Sequence, residues 1–454
     1  MTENESLAKV DNLFTQWDNW DSPGAAMAIT QDGSIVYKRG YGSANLEYNI
    51  AITPATIFHV ASVSKQFTAF AIVMLAEQGK LALDDDIHKH IPEVPDFGKT
   101  ITIRHLIHHA SGLRDQWQLL RMAGWRLDDV ITREHILKMV RHQKELNFDP
   151  GEEYLYCNTG YTLLAEIVAR VSGQSFREYT EANIFRQLGM TNTHFHDDHE
   201  MIVRNRAYSY APQEDGGFRK SVLSFANVGA TSLFTTVEDL AKWIQNFDEK
   251  GVGGDAVIQQ MHQRGVLNNG KELDYAFGLA VGIYKGLKTV GHGGSDAGYR
   301  SNILWFPDQK FGVVVLSNLG SFNPGGLARQ IADICLADQL VQEEPTEQTK
   351  ADDQDQTEKE SETISPEQLE EFAGDYYSDE LGTVYTMTIQ GGQLVAQHRR
   401  HEDAQLNATA VDQFEGKNWW FPQINFERDE NQKVTGFMLT GGRVRNLRFD
   451  KRTH

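Results

Sequence analysis

The stretch QEEPTEQTKADDQDQTEKESETISP, residues 342–366, has no apolar periodicity, and between Glu343 and Glu362 it sets nine acids against two lysines. Such a segment cannot bury enough apolar surface to offset the entropy of ordering it, so it reads as a solvated tether. A tether placed there divides the chain into two cores, residues 1–341 and 365–454, with 342–364 as an acidic linker. At 454 residues the chain is in any case too long for one average core. Much of the net charge of −20 is local to the tether, and no basic cluster is visible elsewhere, which argues against nucleic acid as a partner.

Before the tether, GAAMAITQDGSIVYKRGYG holds two β-rich runs around Asp32-Gly33 and reads as a hairpin. Helical spacing dominates from about Ser62 to Asp248. Strand patterns return in YAFGLAVGIY, YRSNILWF and FGVVVLSN, and a helix follows from about Gly325 to Leu340. The expected fold is α+β: one antiparallel sheet completed by both ends of the domain and flanked by helices, with a large helical insertion. A cleft between sheet and helices is the expected place for a site. After the tether, the short alternating runs TVYTMTIQ, QLVAQHRR, INFERD, VTGFMLT and RVRNLRF are separated by Gly391-Gly392, Glu430-Asn431 and Gly441-Gly442. They predict a small all-β barrel or sandwich of up-and-down type.

Within FHVASVSKQFTAF, residues 58–70, Ser62 and Lys65 stand three apart in an otherwise apolar helix predicted over 62–78 and ended by Gly79. Apolar side chains on every side make it a central helix, where a lysine is expensive unless it is paired or its pKa falls. At the helix start, the pair supplies a hydroxyl nucleophile, an amine able to take its proton, and a backbone N–H for a developing oxyanion. The pattern S-x-x-K alone is short. Ser6 and Lys9 match it equally, but in a polar N-terminal helix.

Two further stretches carry chemistry. Tyr156-Cys157-Asn158 is the only Y-x-N in the chain. In an extended segment Tyr156 and Asn158 point the same way and Cys157 points opposite, just before a helix beginning near Thr159. A phenol is a poor base at neutral pH unless cations stabilise its phenolate, which Lys65 could do. In TVGHGGSDAGYRSNILWF, Gly293 and Gly294 permit close backbone approach before a strand, and His292 offers a hydrogen bond and a charge that titrates near neutrality. Gly293 to Ala297 nearly fits the G-x-S-x-G nucleophile elbow, but an elbow needs a helix after the turn and here a strand follows.

Together these stretches resemble the serine β-lactamase-like superfamily of class C β-lactamases, penicillin-binding DD-peptidases, D-aminopeptidases and esterases. The likeness runs from about Val10 to Leu340 and rests on FHVASVSKQFTA, LAEQGKLALDDDI, ITIRHLIHHASGLRD, YLYCNTGYTLLAEIV and GHGGSDAGYRSNILWFP, in the family's order. The S-D-N and K-T-G elements of the class A and penicillin-binding relatives are absent. The resemblance implies that Ser62 is acylated, Lys65 activates it and Tyr156 shuttles protons. Asn158 would hold Lys65 and the substrate amide. His292 and Gly294 would take the first and third places of K-T-G, and the N–H groups of Ser62 and Ser295 would form the oxyanion hole. With histidine in the first place a fixed positive charge is lost, which weakens the case for a carboxylate-bearing substrate. The region after the tether resembles the lipocalin-like barrels attached to some members.

The implied activity is acyl-enzyme hydrolysis of an amide or ester: a D-amino-acid peptide, a short ester or a β-lactam. The alternatives are an acylated penicillin-binding sensor with little turnover and an inactive structural homologue. Expected partners are a small-molecule or peptide substrate, with a homo-oligomer left open. No cofactor and no metal are expected, since HFHDDHE, residues 194–200, fits no tetrahedral ligand spacing and reads as solvated surface. Cys157 and Cys335 form no C-x-x-C and are expected to be reduced and buried. No apolar run is long enough to span a bilayer. The opening MTENESLAKV has no export signal, so the chain as given reads as cytoplasmic, or as periplasmic or secreted if a leader was removed.

Overall fold

The computed structural model describes residues 3–341 and 365–452, so the acidic run expected as a tether lies outside the described residues. The first part is built on a six-stranded antiparallel sheet: β1 (Ala25–Gln31), β2 (Ser34–Tyr41), β3 (Ala280–Tyr284), β4 (Leu287–Asp296), β5 (Tyr299–Phe306) and β6 (Phe311–Ser317). The spatial order is β3-β4-β5-β6-β1-β2, so the two ends of the domain meet where β1 pairs with β6, Ile29 opposite Val313. Asp32 and Gly33, at φ 49° and 76°, form the β1–β2 turn, the conformation a two-residue hairpin needs.

Every residue of β6 is buried, because both faces of the sheet are covered. Met27, Ile29, Val313 and Val315 pack with Val10 and Phe14 at the chain start and with Leu327 and Ile331 of the helix Pro324–Cys335. The alternate residues Ala26, Ala28, Val314 and Leu316 face the helical layer. That layer contains α1 (Ser64–Glu77), α2 (Gln116–Met122), α3 (Asn158–Ser172) and α4 (Val237–Glu249). Alternation of period two therefore sends one set of side chains to each layer, and the cleft lies on the α1 side.

Eleven residues of α1 are buried, in keeping with its apolar surface on all sides. The helix begins at Ser64, however. Ser62 occupies the 3-10 turn Ala61–Val63 before it, because Ala61 takes φ 47°, a left-handed conformation that α-helix cannot include. The HFHDDHE run is also divided. His194 and Phe195 form a short strand paired with Leu233 and Phe234, and Phe195 and His196 are buried, whereas residues 197–200 are exposed as expected. The apolar partner strand draws in the first half of the run.

The second part is a closed antiparallel barrel of eight strands: β7 (Gly374–Ser378), β8 (Thr383–Gln390), β9 (Gln393–Gln397), β10 (Ala404–Ala410), β11 (Gln413–Gly416), β12 (Gln423–Arg428), β13 (Val434–Gly441) and β14 (Val444–Lys451). Pairing of β7 with β14, Tyr376 opposite Lys451, closes it. Leu119 and Met122 of α2 belong to the barrel's core cluster, so the barrel is seated on a helix of the other part. Buried Arg114 donates to Glu380 at 2.5 Å across that boundary, and Tyr385 Oη donates to the Met122 carbonyl at 3.0 Å.

Candidate active site

The turn carrying Ser62 is held from three sides. Ser64 Oγ donates to the Ala61 carbonyl at 2.5 Å and accepts from Leu233 N at 3.0 Å. Ser301 Oγ, on β5, donates to the Val60 carbonyl at 2.7 Å. These contacts maintain a left-handed alanine immediately before the serine, a conformation that costs about 1–3 kcal/mol and persists only where its surroundings enforce it.

Lys65, one turn on, is fully buried, and its Nζ lies 3.1 Å from Ser62 Oγ, 2.9 Å from Asn158 Oδ1 and 2.7 Å from the Ala230 carbonyl. Burial lowers its pKa to about 7, against the opposing pull of Asp296 and Asp115. The acceptors then fix what the neutral amine can do. Asn158 Nδ2 donates to Asp115 Oδ2 at 2.8 Å, so Oδ1 must face the lysine. Two amine hydrogens go to the obligate acceptors Asn158 Oδ1 and Ala230 O, and the lone pair is left for the Ser62 hydroxyl. That is the geometry of a general base on a serine.

Tyr156 and Asn158 both turn toward Lys65, whose Nζ is 4.9 Å from the Tyr156 ring centroid. Cys157, extended at φ −130° and ψ 112°, points the other way. Its Sγ lies 3.3 Å from the Leu113 carbonyl, and burial raises the thiol pKa to about 12. The helix α3 starts at Asn158, one residue before the expected point, because Asp115 also accepts the Asn158 N–H at 2.7 Å. Burial pushes the Tyr156 phenol well above its ordinary pKa, and Ser62 and Arg443 pull it back. Its hydroxyl is sealed from solvent.

The third stretch forms the end of β4. His292 Nδ1 lies 2.6 Å from the Gly293 carbonyl, which can only accept, so Nδ1 carries the proton and Nε2 accepts from Tyr275 Oη at 3.1 Å. Burial and the Lys65 charge lower its pKa to about 4, so His292 brings no positive charge to the site near neutral pH. The two glycines differ. A Cβ on Gly294 would meet the Val60 carbonyl at 2.3 Å and Ser301 Oγ at 2.4 Å, whereas one on Gly293 would meet nothing nearer than 3.7 Å. The close approach at Gly294 is thus between β4 and the segment before Ser62. Ser295 follows, exposed, at the strand's end.

Several residues at the site carry no local signal in the sequence. Asp115 orients Asn158. His109, fully buried, tilts over the Tyr156 ring with centroids 4.1 Å apart and accepts the Cys157 N–H at 3.0 Å. Asp296, beside Ser295, is 2.9 Å from His59 Nε2 and also binds Thr231 Oγ1. Arg443, from the barrel, lies over the outer edge of the site with its guanidinium 4.8 Å from the Tyr156 centroid. Among the described residues, no group of three or more His, Cys, Asp or Glu side chains is arranged to hold a metal ion, and no helix is long and apolar enough to cross a membrane.

The chain is 27% identical over 296 residues to a D-aminopeptidase of Gluconobacter oxydans, a match covering 65% of this chain and 56% of that protein. It is 27% identical over 314 residues to a D-aminopeptidase of Brucella anthropi, covering 69% and 58% respectively. The chain thus spans little more than half the length of these curated relatives. Among solved structures, the octameric penicillin-binding protein homologue from Pyrococcus abyssi superposes with a TM-score of 0.66 at 26% identity, covering 99% of this chain and 100% of that one. The D-amino acid amidase from Ochrobactrum anthropi SV3 shares the fold, with a TM-score of 0.62 at 21% identity over 73% of this chain and 98% of that one. The Beta-lactamase family profile matches residues 10–337, the whole region that builds the sheet, the helical layer and the cleft, and by that match the chain belongs to the Beta-lactamase family.

Proposed function

We propose that this protein is a serine hydrolase that cleaves amide or ester bonds through an acyl-enzyme, with Ser62 as nucleophile, Lys65 as its base and Tyr156 as the proton carrier. The observation that carries the reading is the contact of Lys65 Nζ with Ser62 Oγ at 3.1 Å, with the amine's other partners both acceptors and its pKa lowered to about 7. An amine in that state removes the hydroxyl proton as oxygen attacks the carbonyl carbon. Asn158 holds the lysine. The backbone N–H groups of Ser62 and Ser295 receive the oxyanion, while His292 and Gly294 line the wall opposite α1, Gly294 by letting β4 close on the nucleophile turn. The D-aminopeptidase relatives favour D-aminoacyl amides or peptides as substrates. Residues 1–341 form the hydrolase domain, 342–364 the linker and 365–454 an appended barrel. The octameric relative, which aligns over the full chain, favours self-assembly.

A panel of p-nitrophenyl esters, D-aminoacyl p-nitroanilides and nitrocefin, run on wild type and Ser62→Ala, tests the reading. Turnover of the best substrate should vanish in the variant, and survival would remove Ser62 as nucleophile. Stoichiometric labelling without steady-state turnover would instead favour an acylated sensor.

A further inference from the structure

Arg443 sits in the hairpin Gly442-Arg443 joining β13 to β14, and its main chain is tied to the hydrolase part. Its N–H donates to Gln118 Oε1 at 2.6 Å, and its carbonyl accepts from Asn147 Nδ2 at 3.0 Å and from Asp115 N at 3.2 Å. The approach uses the glycines before it: a Cβ on Gly441 would meet Gln118 Nε2 at 3.0 Å, and one on Gly442 would meet Gln118 Oε1 at 2.9 Å. The side chain therefore starts from a fixed point and reaches the Tyr156 ring, which has Lys65 Nζ 4.9 Å from its centroid and the Arg443 guanidinium at 4.8 Å.

The guanidinium donors find no acceptor within hydrogen-bond distance among the described residues. The carboxylate oxygen within 4 Å, Asp115 Oδ2 at 3.9 Å, already accepts the Asn158 N–H and Nδ2. Asp115 is 2% exposed, while the Arg443 side chain is 43% exposed and opens toward solvent at the edge of the site. A fixed cation with vacant, forked donors matches a planar carboxylate. It also restores, from the barrel, the positive charge that neutral His292 does not provide.

We propose that Arg443 binds a carboxylate on the leaving group, so that the preferred substrates are peptides whose released amine is an amino acid with a free α-carboxylate. The proposal rests on the serine-hydrolase reading above. Tyr156 is the group that hands a proton to the departing nitrogen, and an α-carboxylate is two bonds from that nitrogen, which places it beside a cation stacked on the same phenol ring. In the reaction the Ser62 Oγ–C bond forms and the substrate C–N bond breaks. The serine proton passes by way of Lys65 and Tyr156 to the nitrogen, and water then cleaves the ester to release the acid and regenerate Ser62. Arg443 exchanges no proton.

The test compares a dipeptide turned over by the full-length protein with the same dipeptide amidated at its C-terminus, following the released amine by chromatography. Wild type should favour the free acid. Arg443→Gln, which retains the main-chain contacts, should cut the acid-to-amide ratio of kcat/KM by about 10- to 100-fold, the range for a lost charge-assisted pair, with Arg443→Lys in between. Without any variant, the free amino acid product should inhibit wild type more strongly than its amide. The proposal is overturned by an unchanged ratio in Arg443→Gln, by equal losses on both substrates, or by no acid preference in wild type. If turnover survives Ser62→Ala the hydrolase reading fails, whereas Ser62-dependent turnover with an unchanged ratio removes only the role of Arg443.

Discussion

Asp115 Oδ2 accepts from Asn158 twice, from the backbone N–H at 2.7 Å and from Nδ2 at 2.8 Å, and so decides which end of the Asn158 amide Lys65 meets. An asparagine at 115 would present its own N–H groups to these donors for at least part of the time and would remove a charge that raises the Lys65 pKa. Asp115→Asn is expected to destabilise the protein by about 1–3 kcal/mol, the range for a buried donor left unsatisfied. The acid limb of its kcat/KM profile should move to lower pH. A thermal melt and a pH–rate profile check both, and a normal melt with an unmoved limb would contradict the role assigned to Asp115.

The pH dependence follows from Lys65. Its folded pKa is lowered to about 7, so below that pH the nitrogen is an ammonium with no lone pair for Ser62, and above it the base is available. Expected kcat/KM therefore rises with pH through about 7 as one proton is lost. His292, at about 4, stays neutral across this limb and contributes nothing to it. Asp296 is the strongest influence opposing the depression, so Asp296→Asn should carry the limb downward. Lys65→Met should lose about 10²–10⁴-fold in kcat/KM, the range for general-base catalysis. A limb unchanged in Asp296→Asn would separate Lys65 from the observed titration.

Adjacent glycines give a sharp contrast. The Cβ of Gly294→Ala would fall 2.3 Å from the Val60 carbonyl and 2.4 Å from Ser301 Oγ, both part of the support of the turn that carries Ser62. Overpacking of this kind typically costs about 1–3 kcal/mol, and here it also displaces Ser62. Gly293→Ala meets only ordinary contacts at 3.7 Å and should leave the melting temperature nearly unchanged. Melting curves and acylation rates for the two variants side by side decide the point. Equal stability would mean that β4 shifts without strain.

These contrasts mark where the sequence was legible. Ser62 and Lys65 stood out because a polar pair interrupts a helix apolar on every side, and that reading needs only local pattern. Tyr156 and Asn158 followed from the period-two geometry of an extended segment. Asp115, His109 and Arg443 had no such signal. They lie in loops, at a helix cap or at a hairpin tip, and their roles exist only through contacts such as that between Asp115 and Asn158, 43 residues apart. The 3-10 turn at Ser62 was hidden because Ala61 is left-handed by tertiary enforcement, not by residue type. In the barrel, the strongly alternating runs and their glycine turns were readable, whereas β7, β10 and β11 were not. Ala404–Ala410, for example, alternates mostly small or polar side chains, AQLNATA, and its pairing comes from its neighbours.

The barrel's seat on the first part of the chain depends on Arg114 and Glu380, whose side chains are 1% and 5% exposed. Burial raises the Glu380 pKa even beside Arg114, so desolvation outweighs the attraction between the two charges. For such a pair, removing one partner strands the other. Glu380→Leu alone is expected to cost about 3–5 kcal/mol, and the double variant Arg114→Met with Glu380→Leu less than that. Arg114 also donates to the carbonyls of Arg445 at 2.8 Å and Asn446 at 3.2 Å, next to Arg443, so loosening this seat should move Arg443 away from Tyr156. The single variant should then show earlier protease cleavage at the barrel and a weaker response of turnover to the Arg443→Gln change, read as a double-mutant cycle. Full additivity of Glu380→Leu and Arg443→Gln would show that the ion pair holds the barrel without positioning the hairpin.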